Sequence, residues 1–131
     1  MKKFDTYGRT KKVLVNAGYR CEKVEMWIPG IGIRKDFLGC IDMLAMRPKK
    51  KKILGIQLFT TAWTDHQRKI CEEYPDGAKF WLRCGHELWF VGWRKLKVKR
   101  GGKAVIWTPR YGQVVLKKKR LELIEVEPKW K

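Results

Sequence analysis

RKDFLGCIDMLAMRPKKKKILGIQLFT, residues 34–60, is the stretch whose reading decides the fold. Residues 37–46 read as one strand, bent at Gly39, and residues 53–60 as the next. The connection at 47–52 is short enough for a hairpin loop, so the two strands are expected to run antiparallel. Each carries one polar residue in an apolar setting: Asp42 in the first, Gln57 in ILGIQLF. A buried carboxylate is costly unless it meets hydrogen bonds, a cation or a metal. Asp36 lies six residues before Asp42, so an unbroken strand would place both on one face.

Upstream, residues 6–17 read as a helix that Asp5 or Thr6 caps and Gly18 ends. Tyr7, Val13, Leu14 and Ala17 share its apolar face. Residues 21–28 (CEKVEMWI) read as a strand that Pro29-Gly30 stops. Downstream, Thr64-Asp65 opens a helical stretch, interrupted at Pro75-Asp76-Gly77 and resumed over 78–83. ELWFV at 87–91 is a further strand, closed by residues 92–95. A helical crossover between 53–60 and 87–91 predicts parallel pairing of those two strands. The order α-β-β-β-α-β predicts an α/β fold, a mixed central sheet flanked by helices. Residues 1–95 form this core, with 96–131 a basic extension packed on the same domain. Within the extension, 104–108 and 114–126 scan as strands, yet LKKKRLELIEVE also scans as a helix.

The chain has 131 residues, 31 of them Lys or Arg against 13 Asp or Glu, a net charge of +18. So large an excess opposes compaction and points to a polyanionic partner. Nucleic acid comes first. The charge is spread along the whole chain, which disfavours a membrane-surface helix, and no apolar run is long enough to span a bilayer. MKKFDTYGRTKK lacks the apolar core of a signal peptide, so a cytoplasmic protein is expected. The four cysteines form no CxxC pair, which reads as reduced thiols rather than a zinc site.

Across the hairpin Asp42 and Gln57 can approach one another, Asp36 shares their end of the sheet, and Glu25 on the preceding strand can reach it. Three carboxylates and an amide oxygen are hard ligands suited to Mg2+ or Mn2+. In a basic protein such a site can activate water against a phosphodiester.

Gly39-Cys40-Ile41-Asp42-Met43-Leu44-Ala45 resembles the G-x-x-D-hydrophobic-hydrophobic-A segment of the PD-(D/E)XK nuclease superfamily, in particular its small phage and archaeal branch near the Holliday-junction resolvases. Arg34-Lys35-Asp36-Phe37-Leu38-Gly39, Arg68-Lys69-Ile70 and Gly92-Trp93-Arg94-Lys95 also fit a form found in small phage proteins. The similarity covers residues 25–95. It implies a restriction-endonuclease-like αβββαβ core and a Mg2+- or Mn2+-dependent endonuclease acting on DNA, duplex or branched. By that likeness Asp42, Asp36 and Gln57 hold the metal and Glu25 completes the shell. Gln57 stands in the place of the family's acid and Phe59 in that of its lysine. Some members carry that lysine on the neighbouring helix, which makes Lys69 the candidate here. A homodimer is implied as well, because resolvase-like members make two cuts.

The cations expected to meet DNA are Arg9, Lys11, Lys12, Arg34, Lys35, Lys49, Lys50, Lys51, Lys52, Arg68, Arg94 and Lys95. Lys49 to Lys52 would act as a phosphate clamp, and Trp63 as a base-stacking platform. A second reading stays open: a nucleic-acid-binding protein that keeps the scaffold without cleavage, as Gln57 and Phe59 suggest.

Overall fold

The computed structural model describes residues 4–130. It is an α/β fold built on a mixed six-stranded sheet with three α-helices. The chain runs α1 (Thr6–Asn16), β1 (Arg20–Lys23), β2 (Met26–Ile28), β3 (Ile33–Lys35), β4 (Met43–Met46), β5 (Leu54–Phe59), α2 (Trp63–Arg68), a π-helical turn (Lys69–Glu73), α3 (Asp76–Arg83), β6 (Glu87–Lys97), β7 (Val105–Lys117) and β8 (Arg120–Glu125). The main sheet has the order β1-β4-β5-β6-β7-β8, and β2 and β3 form a separate hairpin.

α1 begins where the Asp5 carboxylate accepts the Gly8 N–H at 2.8 Å, satisfying one of the unpaired donors of the first turn. Its Leu14 is fully buried against the sheet. The 47–52 connection makes β4 and β5 an antiparallel pair, with Met43 opposite Ile56 and Ala45 opposite Leu54. β5 and β6 are parallel along their length, from Leu54 opposite Glu87 to Phe59 opposite Gly92. Alternation along β5 sends Leu54 and Ile56 into one core, under α1 with Leu14 and Met43. Phe59 goes into the other, under α2 and α3 with Ile70, Ala78 and Trp81.

Four readings of the sequence need correction. Residues 21–28 are not one strand: the chain breaks at Val24-Glu25, where both N–H groups are donated to the Asp42 carbonyl, at 3.0 and 3.2 Å. Residues 37–46 are not one strand either. Phe37 and Ile41 form an isolated bridge around a tight turn, with Leu38 at φ 55° and Gly39 at φ 74°. The cap of α2 is Ala62, in left-handed conformation and without a side-chain bond, rather than Thr64. The strand at 87–91 is not closed by residues 92–95, and of the two readings left open for the tail the strands hold and the helix does not. β6 runs on past residue 95, and β7 and β8 extend the same sheet through a turn at Lys118 (φ 47°) and Lys119 (φ 70°).

Gly92 and Gly112 explain how β6 can pass through its glycine without turning. A Cβ on Gly92 would lie 2.8 Å from Phe59 and 3.1 Å from Trp63, and one on Gly112 2.9 Å from Trp63 and 2.8 Å from Leu123. The two glycines are a notch for the indole of Trp63. Gly112→Ala should therefore cost about 1–3 kcal/mol through overpacking, read as a lowered denaturant midpoint with unchanged slope.

Candidate metal centre

The site forms where β4 and β5 stop pairing. Asp42 N–H still donates to the Ile56 carbonyl at 2.8 Å. Two residues further along β5, the Leu58 N–H has no strand partner on that side, and the Asp42 Oδ2 accepts it at 2.7 Å. The carboxylate thus stands in for a missing carbonyl of the ladder. It sits at the carboxyl end of β5, next to the start of the helical crossover, where open α/β sheets place their ligand crevices.

The turn over residues 37–41 brings Asp36 to the same place. Because Phe37 pairs with Ile41, the residues just outside that pair are Asp36 and Asp42, which become cross-strand neighbours. The two donations to the Asp42 carbonyl hold Glu25 alongside. Glu25, Asp36 and Asp42 each place a carboxylate oxygen within 4.8 Å of the others'. Asp42 is buried and its two partners half-buried.

Gln57 lies on the same side of β5 and is only 5% exposed. Its Oε1 is enclosed and has no hydrogen-bond donor among the described residues. An orphaned acceptor of this kind calls for a donor or a cation. Carboxylate oxygens of Glu25, Asp36 and Asp42 stand beside it, so the donor set is hard oxygen. These residues fit Mg2+ or Mn2+.

A cleft of about 500 Å³ opens over this cluster. Asp42, Gln57 and Leu58 line it together with Glu25, Asp36, His66, Lys23, the helix cap Asp5 and Tyr7 of α1. Burial pushes the Asp42 carboxyl up to about 8; the Leu58 N–H opposes this, and Asp36 and Glu25 add to it. His66 stacks on Phe59 at 4.3 Å and is held below its usual range, first by burial and then by Lys69.

Of the residues expected here, Asp42, Asp36, Glu25 and Gln57 come together. Lys69 does not line the cleft; it is exposed on the π turn and acts on His66 only through its charge. Phe59 is buried among Trp63, Phe90 and His66. Lys23 is a cleft residue outside the expected set, and His66, which shares a helix face with Lys69 as a candidate base, lines the cleft as well. The signal for Lys23 was its position two residues before Glu25; that for His66 was its nearness to the end of β5.

The cations divide between several surfaces. Arg9, Lys11 and Lys12 are exposed on α1, the Arg9 guanidinium 5.1 Å from the Phe4 ring. Lys35 is exposed beside Asp36, and the side chain of Arg34 lies outside the described residues. Arg68 is paired with Asp65 and Glu73, at 3.2 and 3.3 Å. Arg94 and Lys95 are exposed on β6. Lys49 to Lys52 lie at the far end of the β4–β5 hairpin, away from the carboxylates. Trp63 is no free platform: it is half-buried in its glycine notch, and the Arg110 guanidinium covers its ring at 4.0 Å.

Cys21 and Cys40 are buried, Cys71 half-buried and Cys84 exposed; all four are free. His86 Nδ1 accepts the Ile53 N–H at 3.1 Å, a structural use. Among the described residues, no helix is long and apolar enough to cross a membrane. No protein-family model, curated protein or solved structure matches the chain.

Proposed function

We propose that the protein is a divalent-cation-dependent endonuclease acting on DNA, on a scaffold of the PD-(D/E)XK kind. The observation that carries the reading is the trio Glu25, Asp36 and Asp42, with ligand oxygens within 4.8 Å of one another, beside the orphaned Gln57 Oε1. The main-sheet elements, taken in chain order up to β6, run α-β-β-β-α-β once the two-part crossover helix is counted as one. The charge of +18 surrounding this acidic point supplies the attraction for a polyanion.

Asp42 is the fixed ligand, held by the Leu58 N–H; Asp36 and Glu25 close on it from two other segments, and Gln57 adds a neutral oxygen. A bound Mg2+ or Mn2+ would supply charge stabilisation at the phosphoryl group and lower the pKa of its water. Lys23 lines the cleft, its ammonium 5.7 Å from the Tyr7 ring, and takes the part expected of Lys69. His66, held neutral near pH 7, can accept a proton there. The reading of a binding protein without cleavage is favoured by one observation, the burial of Phe59 in the lysine's place.

Supercoiled plasmid and synthetic junctions incubated with Mg2+, Mn2+ or EDTA decide between the two. The expected result is nicking with either cation and none with EDTA. Retarded mobility of DNA without nicking under any cation would leave only the binding protein.

A further inference from the structure

A second groove, of about 630 Å³, lies at the opposite end of the sheet from the carboxylates. One rim is the β4–β5 turn with Lys49, Lys50, Lys51 and Lys52; the other is the C-terminal segment with Lys129. The wall between them is aromatic. Trp130 packs edge-on against Trp89 at 4.7 Å and Tyr19 at 6.4 Å. Two acids line the groove: Glu87, whose Oε1 is taken up by Trp89 Nε1 and Gln113 Nε2, each at 3.2 Å, and Glu127, exposed on the C-terminal segment. Arg47 is committed too, donating to the Ala17 carbonyl at 3.0 Å and lying over the Tyr19 ring. The turn lysines, by contrast, are exposed, and the Trp130 indole N–H, enclosed at the wall, meets no acceptor among the described residues.

We infer that this groove is a second nucleic-acid site, one that grips the phosphate backbone without any metal. Each feature selects that ligand. Four adjacent ammonium groups on one turn match successive phosphates but carry no base-reading geometry. Tyr19 and Trp89 are too buried to stack on bases, so the contact is to backbone alone. A concave groove with two rims takes a linear polymer rather than a flat bilayer. β5 has six residues, so roughly 20 Å separates this groove from the carboxylates, and one stretch of backbone cannot fill both as a single contact. The inference rests on the reading of a DNA-binding protein and is independent of cleavage.

The test is a variant with Lys49, Lys50, Lys51 and Lys52 all changed to Gln; these residues are exposed, so the fold should persist. Binding of a fluorescein-labelled duplex is followed by anisotropy in EDTA across a salt series. Four phosphate contacts contribute about 3.6 to the slope of log K against log salt. The variant should therefore lose a slope of roughly 3, and bind at least about tenfold more weakly at low salt. An unchanged slope and affinity in the lysine variant would overturn the inference. So would wild-type binding to phosphatidylserine vesicles with none to duplex. Absence of nicking in every protein would sink the nuclease reading and leave this one standing.

Discussion

Asp42→Asn is expected to melt at a higher temperature than the parent protein at pH 8 in EDTA, and to lose at least about a hundredfold in any cleavage rate. The two effects have one cause. Burial lifts the Asp42 carboxyl from 3.8 to about 8, with Asp36 and Glu25 as further causes. Its folded value is above its unfolded one, so the folded state holds the proton more tightly. The stability this contributes is complete below the unfolded value and drains away as pH rises towards 8. At pH 8 the ionised cluster costs on the order of a few kcal/mol, divided among three interacting groups. Asn keeps an oxygen for the Leu58 N–H and removes the charge, so the variant's stability should be flat over that range. Added Mn2+ reverses the ranking. The parent should gain melting temperature, more at pH 8 than at pH 6 because protons compete for the ligands, and the variant should not respond. Calorimetry of both proteins at two pH values, with and without Mn2+, reads all of this. A parent indifferent to Mn2+, together with a variant no more stable than it, would remove the metal centre.

That site was legible only in part. The hairpin was readable because two apolar runs flank a lysine-rich connection, and the parallel β5–β6 pair because a helical crossover joins them. The placing of Asp42 near Gln57 followed from the hairpin alone. Asp36 reached the site by another route than the expected one. The tight turn closed by the Phe37–Ile41 bridge, and not a continuous strand, makes it a neighbour of Asp42. Nothing in CEKVEMWI marks the break after Lys23, because its apolar and polar residues suit either one strand or two. The break is imposed from outside, by the Asp42 carbonyl taking both the Val24 and Glu25 N–H groups. The tail resisted reading for a different reason: its turn residues Lys118 and Lys119 both adopt positive φ, which lysine does not advertise as Asn or Gly would. Trp63 misled because its neighbours in sequence are polar, whereas the glycines that receive it stand 29 and 49 positions further on.

Phe59→Lys, which puts a lysine where the proposed nuclease reading expects one, is expected to destabilise the protein rather than activate it. The ring is 8% exposed and packs on Trp63, Phe90 and His66, with centroids 5.5, 5.7 and 4.3 Å away. A lysine there loses those contacts and brings an ammonium into the core beneath α2 and α3. Together these should cost about 2–4 kcal/mol, or roughly 10 °C in melting temperature for a chain of this size. The His66 imidazole would lose the ring stacked on it and gain a second cation beside it, so its titration should stay below the ordinary range. Cleavage should not rise, because Lys23 already brings a cation to the cleft by way of β1. Lys23→Gln, at an exposed position, should leave the melting temperature within about 2 °C and reduce nicking by at least about tenfold. The pair of variants separates the two lysine positions with melting curves and nicking rates alone. Faster nicking in Phe59→Lys at an unchanged melting temperature would show that the usual position is open to solvent after all, and that Lys23 has been given the wrong part.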